Sequence, residues 1–171
     1  MNAESEELFD VVDEHDQVVR QERRSVVHAK KLTHRAVHVF LFRSDGHLLI
    51  HKRTDHKEEF PSVWTSSASG HVSAGEAYDE TAPRELAEEL GVTCSLQRLH
   101  KFAACPDTCL EHTVLYRANC DDPIDFDPHE IAAIEYVSPD EIAARIQNQP
   151  DVFSPAFRLL FGWYMSREST D

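Results

Sequence analysis

Arg84, Glu85, Glu88 and Glu89 lie within six consecutive positions of a 171-residue chain. On an α-helix, residues three and four apart share a face, so the three glutamates fall within about one quadrant of the surface. Like charges at that spacing repel one another. A cation between them removes the repulsion, and an all-oxygen ligand set with room for waters and substrate phosphates suits Mg²⁺, with Mn²⁺ accepting the same oxygens. A solvated acidic helix face carries the same local pattern, so the flanking residues have to decide. Leu86 and Leu90 can seat the helix on a core, Gly91 supplies a stop, and Val92 resumes an apolar strand. Pro83 is the awkward residue. A proline in a helix interior costs about 3 kcal/mol, which predicts either a kink at Pro83 or a helix that starts at Thr81 to Pro83.

The elements around this stretch read as strands alternating with a few helices. Residues 8–12 and 17–20 form a hairpin by their apolar, β-branched runs, and a connector with His28, Lys30, Lys31 and His34 leads to a central strand over 36–42. A turn at residues 44–46 precedes a strand over 47–53 that ends in basic residues. Strands follow over 94–104, 111–118 and 134–137, then helices over 139–147 and 155–165, the first with Ser138 and Glu141 placed as a capping box. This order predicts an α/β/α sandwich around a mixed β-sheet. The expectation is one domain over residues 1–171, with 1–7 frayed, 8–35 as hairpin and connector, and 36–166 as the core.

Composition narrows the function classes. The formal net charge of −14 argues against a nucleic acid polymer as partner. Between residues 20 and 57, however, ten Lys and Arg face only three acids. A basic segment set against an acidic one suits an anionic phosphate substrate held opposite a divalent metal, although a solvated strand edge has the same composition. The four cysteines form no C-x2-C pair and read as reduced thiols. Cys105, Cys109 and His112 lack a fourth ligand at zinc spacing. With no membrane-span run and an acidic first stretch, the expected setting is cytoplasmic.

Residues 70–92 match G-x5-E-x7-R-E-U-x-E-E-x-G-U at every position, with Leu86 and Val92 as the apolar U residues. At ordinary residue frequencies such a match arises by chance in fewer than roughly one chain in a million. This is the Nudix box, and the chain resembles the Nudix hydrolases, which cleave a diphosphate linked to another moiety X. The resemblance implies the Nudix fold, a small-molecule diphosphate substrate and a metal held by Glu85, Glu88 and Glu89. It further implies that the Gly70 carbonyl adds a ligand and that Arg84 orients a box glutamate.

Over most of residues 8–165 the chain also resembles type I isopentenyl-diphosphate isomerase, which shares the Nudix fold. The matching residues are His34-Arg35-Ala36, Arg53-Thr-Asp-His-Lys57, Phe60 to Thr65, Ser69-Gly70-His71 and Glu111-His112. Carried over, His34, His71 and Glu111 become a second candidate metal site, and Arg53 and Lys57 a grip on the diphosphate. His28 stands one residue short of the isomerase spacing to His34. Trp64 is a candidate for contact with X. Two departures set this chain apart: Ser69 stands at the isomerase's catalytic cysteine, and Thr113 at its second catalytic glutamate. The expected activity is therefore Mg²⁺-dependent hydrolysis of a diphosphate bond in a nucleoside diphosphate linked to another moiety, with Glu88, Glu89 or Glu111 as general base. An isomerase-like enzyme and a non-catalytic Nudix ligand sensor are the alternatives, and a homodimer is compatible with this fold.

Overall fold

The computed structural model describes residues 6–168. In chain order its elements are β1 (Leu8–Val12), β2 (Val18–Arg23), α1 (Arg24–Ala29), β3 (His34–Phe42), β4 (Leu48–Arg53), β5 (Trp64–Thr65), β6 (Ala68–His71), α2 (Tyr78–Leu90), β7 (Gln97–Phe102), β8 (Glu111–Asn119), β9 (Ile131–Val137), α3 (Pro139–Asn148) and α4 (Pro155–Glu168).

Side chains of a strand point to opposite faces in turn, and this alternation along β3 sorts the two cores. Val37, Val39 and Leu41 join a cluster with Tyr78, Ala82, Leu86 and Leu90, the apolar stripe of α2. Phe40 and Phe42 join the opposite cluster with Ile142 of α3 and Phe157, Leu160 and Phe161 of α4. The sheet between them is mixed, so the expected three-layer α/β/α arrangement holds. β8 runs parallel to β3 along its whole length, from His34 opposite Glu111 to Phe42 opposite Asn119, and β7 pairs antiparallel with β8.

On its other edge β3 has two neighbours. It meets β4 only at Phe42 and Leu48, and from Ala36 to Val39 its partner is β6. β3 and β4 therefore splay apart, and Ser67 stitches the wedge between them. Its hydroxyl accepts from Leu41 N at 2.8 Å and donates to Leu49 O at 2.5 Å, while its carbonyl takes a hydrogen bond from His51 Nδ1 at 2.9 Å. Beyond this wedge the sheet opens into a cleft. His34, Ala36 and His38 share the parity of Phe40, and Ala36 and His38 line this cleft.

Several boundaries differ from the sequence reading. α2 begins at Tyr78, ahead of Pro83, because its first turn is held locally: the Glu80 carboxylate accepts from Ala77 N at 2.9 Å and the Thr81 hydroxyl donates to Ala77 O at 3.1 Å. Pro83 lies on the exposed side of the helix, so the Asp79 carbonyl that loses its donor faces water. Residues 24–29 of the connector are helical. The strand expected over 94–104 is confined to Gln97–Phe102, with Cys94 and Leu96 packed on the α2-side core instead. Of the stretch expected to fray, residues 1–5 lie outside the described residues. Glu7, by contrast, is held: its carbonyl accepts from Arg24 N at 2.8 Å and its carboxylate from Ser73 Oγ at 2.7 Å. No described helix is long and apolar enough to cross a membrane.

The β1–β2 hairpin is fastened to the body by a buried acid. Asp16, 7 % exposed and in the left-handed region at φ 62°, accepts from Arg35 Nε at 2.6 Å and from the Tyr78 hydroxyl at 3.0 Å, and also binds the Lys101 ammonium. Burial works to raise the Asp16 carboxyl, but Lys101 and Arg35 outweigh it and hold it below its ordinary value of 3.8. A carboxyl depressed in the folded state adds stability above its unfolded value, and that stability is lost as pH falls through the folded value. Asn tolerates positive φ, so Asp16→Asn removes the charge with little backbone strain. We expect it to destabilise the protein by about 3 kcal/mol in urea titrations near neutrality, with the gap to wild type closing below about pH 4.

Candidate active site

The cleft at the open end of the wedge holds about 350 Å³ and is lined by residues of α2, β3, β6, β8 and the loop after β4. Its acidic wall is built on Arg84. Arg84 Nε and Nη2 each donate to a Glu76 oxygen at 2.9 Å, while Nη1 reaches Glu85 at 2.8 Å and Glu88 at 3.2 Å. The planar fork of a guanidinium suits this, because several carboxylates can share one rigid donor set. Held this way, Glu76 stays below the ordinary carboxylate range, chiefly through its bonds to Arg84.

The three box glutamates are not equivalent. The Glu85 side chain is 13 % exposed and that of Glu88 60 %, while Glu89 is buried with its Oε2 accepting from Ser69 N at 3.1 Å. Burial pushes Glu85 up to about 7, and burial together with the Glu85 charge drives Glu89 well above the usual range. Two acids that burial makes readier to take a proton are equally disposed to take a divalent cation. Gly70 of β6 lies against them. A Cβ built there would come within 2.1 Å of the Glu85 carboxyl carbon, so only glycine lets that carboxylate reach the strand.

A second cluster stands beside the first. One ring nitrogen from each of His28, His34 and His71 lies within 4.8 Å of the other two. Glu111 Oε1 is 3.0 Å from His71 Nε2 and 3.3 Å from His34 Nε2. The His34 contact lies off the line that a hydrogen bond needs, so His34 Nε2 and His28 Nε2 are buried without hydrogen-bond partners. The three ring nitrogens and the Glu111 oxygen make an N₃O donor set of the kind that binds Zn²⁺ or Mn²⁺. Burial opposes charge on Glu111, yet His34 and His71 hold it far below the carboxylate range; burial also keeps His28 down at about 4. Phe9 of the hairpin covers one side of this cluster. Its ring stacks on His34 at 5.5 Å and leans on His71 at 4.9 Å, so docking of the hairpin and placement of the histidines are one packing event.

Arg53 and Lys57, singled out by the isomerase resemblance, line the cleft. Arg53 Nε donates to Glu59 O at 3.1 Å, and the Lys57 ammonium is paired with Glu130. Trp64 is a correction. Neighbouring strand residues face opposite ways, and on β5 it is Thr65 that lines the cleft, while Trp64 packs into the α4-side core. Phe60 is the aromatic residue at the cleft. Arg24, His28, His38, Thr65 and Ser154 contribute without having been singled out as site residues. Only His28 carried a local signal, and the turn of α1 makes up for its short spacing to His34.

The NUDIX domain family model matches residues 32–157. The chain belongs to the Nudix family. It is 32 % identical over 160 residues to isopentenyl-diphosphate delta-isomerase 2 of Photorhabdus laumondii, covering 90 % of this chain and 89 % of that one. It is 34 % identical over 149 residues to a Nudix hydrolase of Deinococcus radiodurans, covering 85 % and 87 %. Among solved structures, a Deinococcus radiodurans protein shares the fold with a TM-score of 0.74 at 32 % identity, over 84 % of this chain and 90 % of that one. In this Nudix chain the box runs from β6 through α2, which places the Gly70 contact at its centre. Gly70→Ala displaces only the end of a flexible Glu85 side chain. We expect the melting temperature to change little while Mg²⁺ affinity, read by calorimetry, falls about 10- to 100-fold, the range found when support for a metal ligand is lost.

Proposed function

We propose that this Nudix protein hydrolyses a phosphoanhydride bond in a small-molecule diphosphate with a divalent metal, Mg²⁺ or Mn²⁺, held by Glu85, Glu88, Glu89 and the Gly70 carbonyl. The observation that carries this reading is the pair of buried carboxylates, Glu85 and Glu89, facing the cationic Arg53 and Lys57 across one cleft. Such a cation supplies polarisation of a phosphoryl oxygen and a lowered pKa for the attacking water. The chain's own groups do the rest. Arg53 and Lys57 bind the diphosphate charge, Lys57 exchanging its bond to Glu130 for one to the substrate. Arg84 fixes Glu85, and the Ser69 N–H fixes Glu89, so both keep their aim without substrate. Glu88, exposed and bonded only through Arg84, and Glu89 are the groups placed to take the water proton. Glu111 is committed to two histidines, so its strength as a base is spent there. His28, His34, His71 and Glu111 form a second site for a transition metal. Four free cysteines fit a reducing, cytoplasmic setting.

Isomerisation of isopentenyl diphosphate is the second reading, favoured by the histidine cluster and by relatives that carry the isomerase name. Moving that double bond needs an acid and a base on opposite faces of the substrate. Ser69 offers a hydroxyl in place of a thiol. Thr113 is fully buried with its hydroxyl on the Glu111 carbonyl at 3.3 Å, so it brings no carboxylate to the cleft. These two residues support hydrolysis over isomerisation.

A panel of nucleoside diphosphates, dinucleotides, nucleotide sugars and prenyl diphosphates, incubated with Mg²⁺ and read by mass, tests the reaction. Phosphate products are expected, and turnover of the best substrate should fall at least ~100-fold in Glu89→Gln. Wild-type rates in that variant, or binding without any product, would reject the hydrolase. Isopentenyl diphosphate in deuterated water is expected to gain no turnover-dependent deuterium; uptake would put the isomerase first.

A further inference from the structure

We propose that His38 contacts the substrate, presenting Nε2–H as a neutral hydrogen-bond donor to an oxygen of moiety X, and so selects diphosphates whose X is oxygen-rich, such as a nucleoside, over those whose X is a hydrocarbon. The proposal rests on the hydrolase reading only for the presence of a diphosphate in the cleft.

His38 sits on β3 opposite Ser69 and lines the cleft, although it is only 6 % exposed. One bond holds the ring: Nδ1 is 2.7 Å from Ser66 Oγ. Ser66 is completely buried, and its hydroxyl has no other hydrogen-bond partner among the described residues. A buried hydroxyl left without an acceptor is costly, so the Ser66 O–H donates to Nδ1. The ring proton is then on Nε2, which has no protein partner among the described residues. Burial keeps the imidazole neutral, holding it down at about 4. An N–H donor with no partner, built into the wall of a cleft, is completed by a ligand oxygen.

The surroundings say which oxygen. Arg53 and Lys57 supply the charge that matches phosphates, whereas a neutral donor matches an uncharged hydroxyl or carbonyl. Thr65, next to Ser66, and Ser154 also line the cleft, their hydroxyls bonded to each other at 2.9 Å, and Ala156 adds only a methyl group. A hydrocarbon laid over these groups would strip water from His38 Nε2 and return nothing. Sites built to bond a substrate polar group reject analogues that lack it far more strongly than apolar pockets reject a change in size.

The test compares two non-hydrolysable probes with Mg²⁺ in calorimetry: adenosine α,β-methylenediphosphonate and dimethylallyl methylenediphosphonate, which share the diphosphonate and differ in X. Wild type should bind the adenosine probe at least ~10-fold more tightly. His38→Leu should lose at least ~10-fold for that probe and stay within about 3-fold for the prenyl probe, while His38→Gln, which keeps an N–H donor, should stay within about 3-fold of wild type for both. Equal losses for both probes in His38→Leu, no loss at all, or a wild type that prefers the prenyl probe or binds neither would overturn the proposal. Should His38→Leu fail to fold, ¹H–¹⁵N NMR of the wild-type imidazole decides: the His38 Nε2 signal must shift with the adenosine probe and not with the prenyl probe. Binding of the adenosine probe with this selectivity, but no turnover of any diphosphate, would reject the hydrolase and leave the role of His38 standing.

Discussion

Three carboxylates meet on one guanidinium, and the cleft depends on that meeting. Glu76, Glu85 and Glu88 would repel if brought together alone, and burial of Glu85 adds a desolvation cost. Arg84 offsets this with four bonds of 2.8 to 3.2 Å that fix where each carboxylate points. Glu89 lies beyond its reach and takes a backbone N–H instead, so the acidic wall stays short of positive charge where it is most buried. That remaining deficit sets the wall apart from a simple salt-bridge network and is the electrostatic ground for the proposed cation.

The same electrostatic logic recurs at the hairpin. Asp16 collects Arg35, Tyr78 and Lys101 and so clamps β1 and β2 to the sheet and to α2. The clamp brings Phe9 against His28, His34 and His71. A ring of 0 % exposure packs on all three imidazoles, and burial holds the His28 ring down at about 4. Fold and chemistry are thus coupled through one buried acid that lies outside the cleft.

Divergence of β3 from β4 supplies the space. Ser67 satisfies the polar groups of both strands inside the wedge, and Ser66 does the same for His38. Unpaired backbone groups there would be costly, so a pair of small hydroxyl residues is a physical requirement of the opening. Hydrolysis and isomerisation can share such a frame, because the choice between them falls to single side chains. At Ser69 and Thr113 those side chains lack the thiol and the carboxylate, while the box acids are complete.

The box was legible in the sequence because helix periodicity is local. Spacings of three and four place Glu85, Glu88 and Glu89 on one face, and Leu86 and Leu90 on another, whatever lies elsewhere in the chain. The apolar, β-branched run over 36–42 likewise gave a central strand, and the order of elements gave a mixed sheet between helices. Of the two readings of Pro83, a start at Thr81 to Pro83 does not hold, because the Glu80 and Thr81 bonds carry the first turn past the proline and have no strong sequence signature. Trp64 was placed in the site by its chemistry, but the face it occupies depends on how a two-residue strand pairs with β4. Arg24, His38, Thr65 and Ser154 come from four separate elements or their edges, and no spacing within any one of them shows that they share a cleft. The sequence by itself determined the box helix with its shared glutamate face and the layer order. Only the tertiary structure decided which histidines meet and which ring nitrogens are left without partners, because those depend on strand register, on hairpin docking and on which side chains burial forces together.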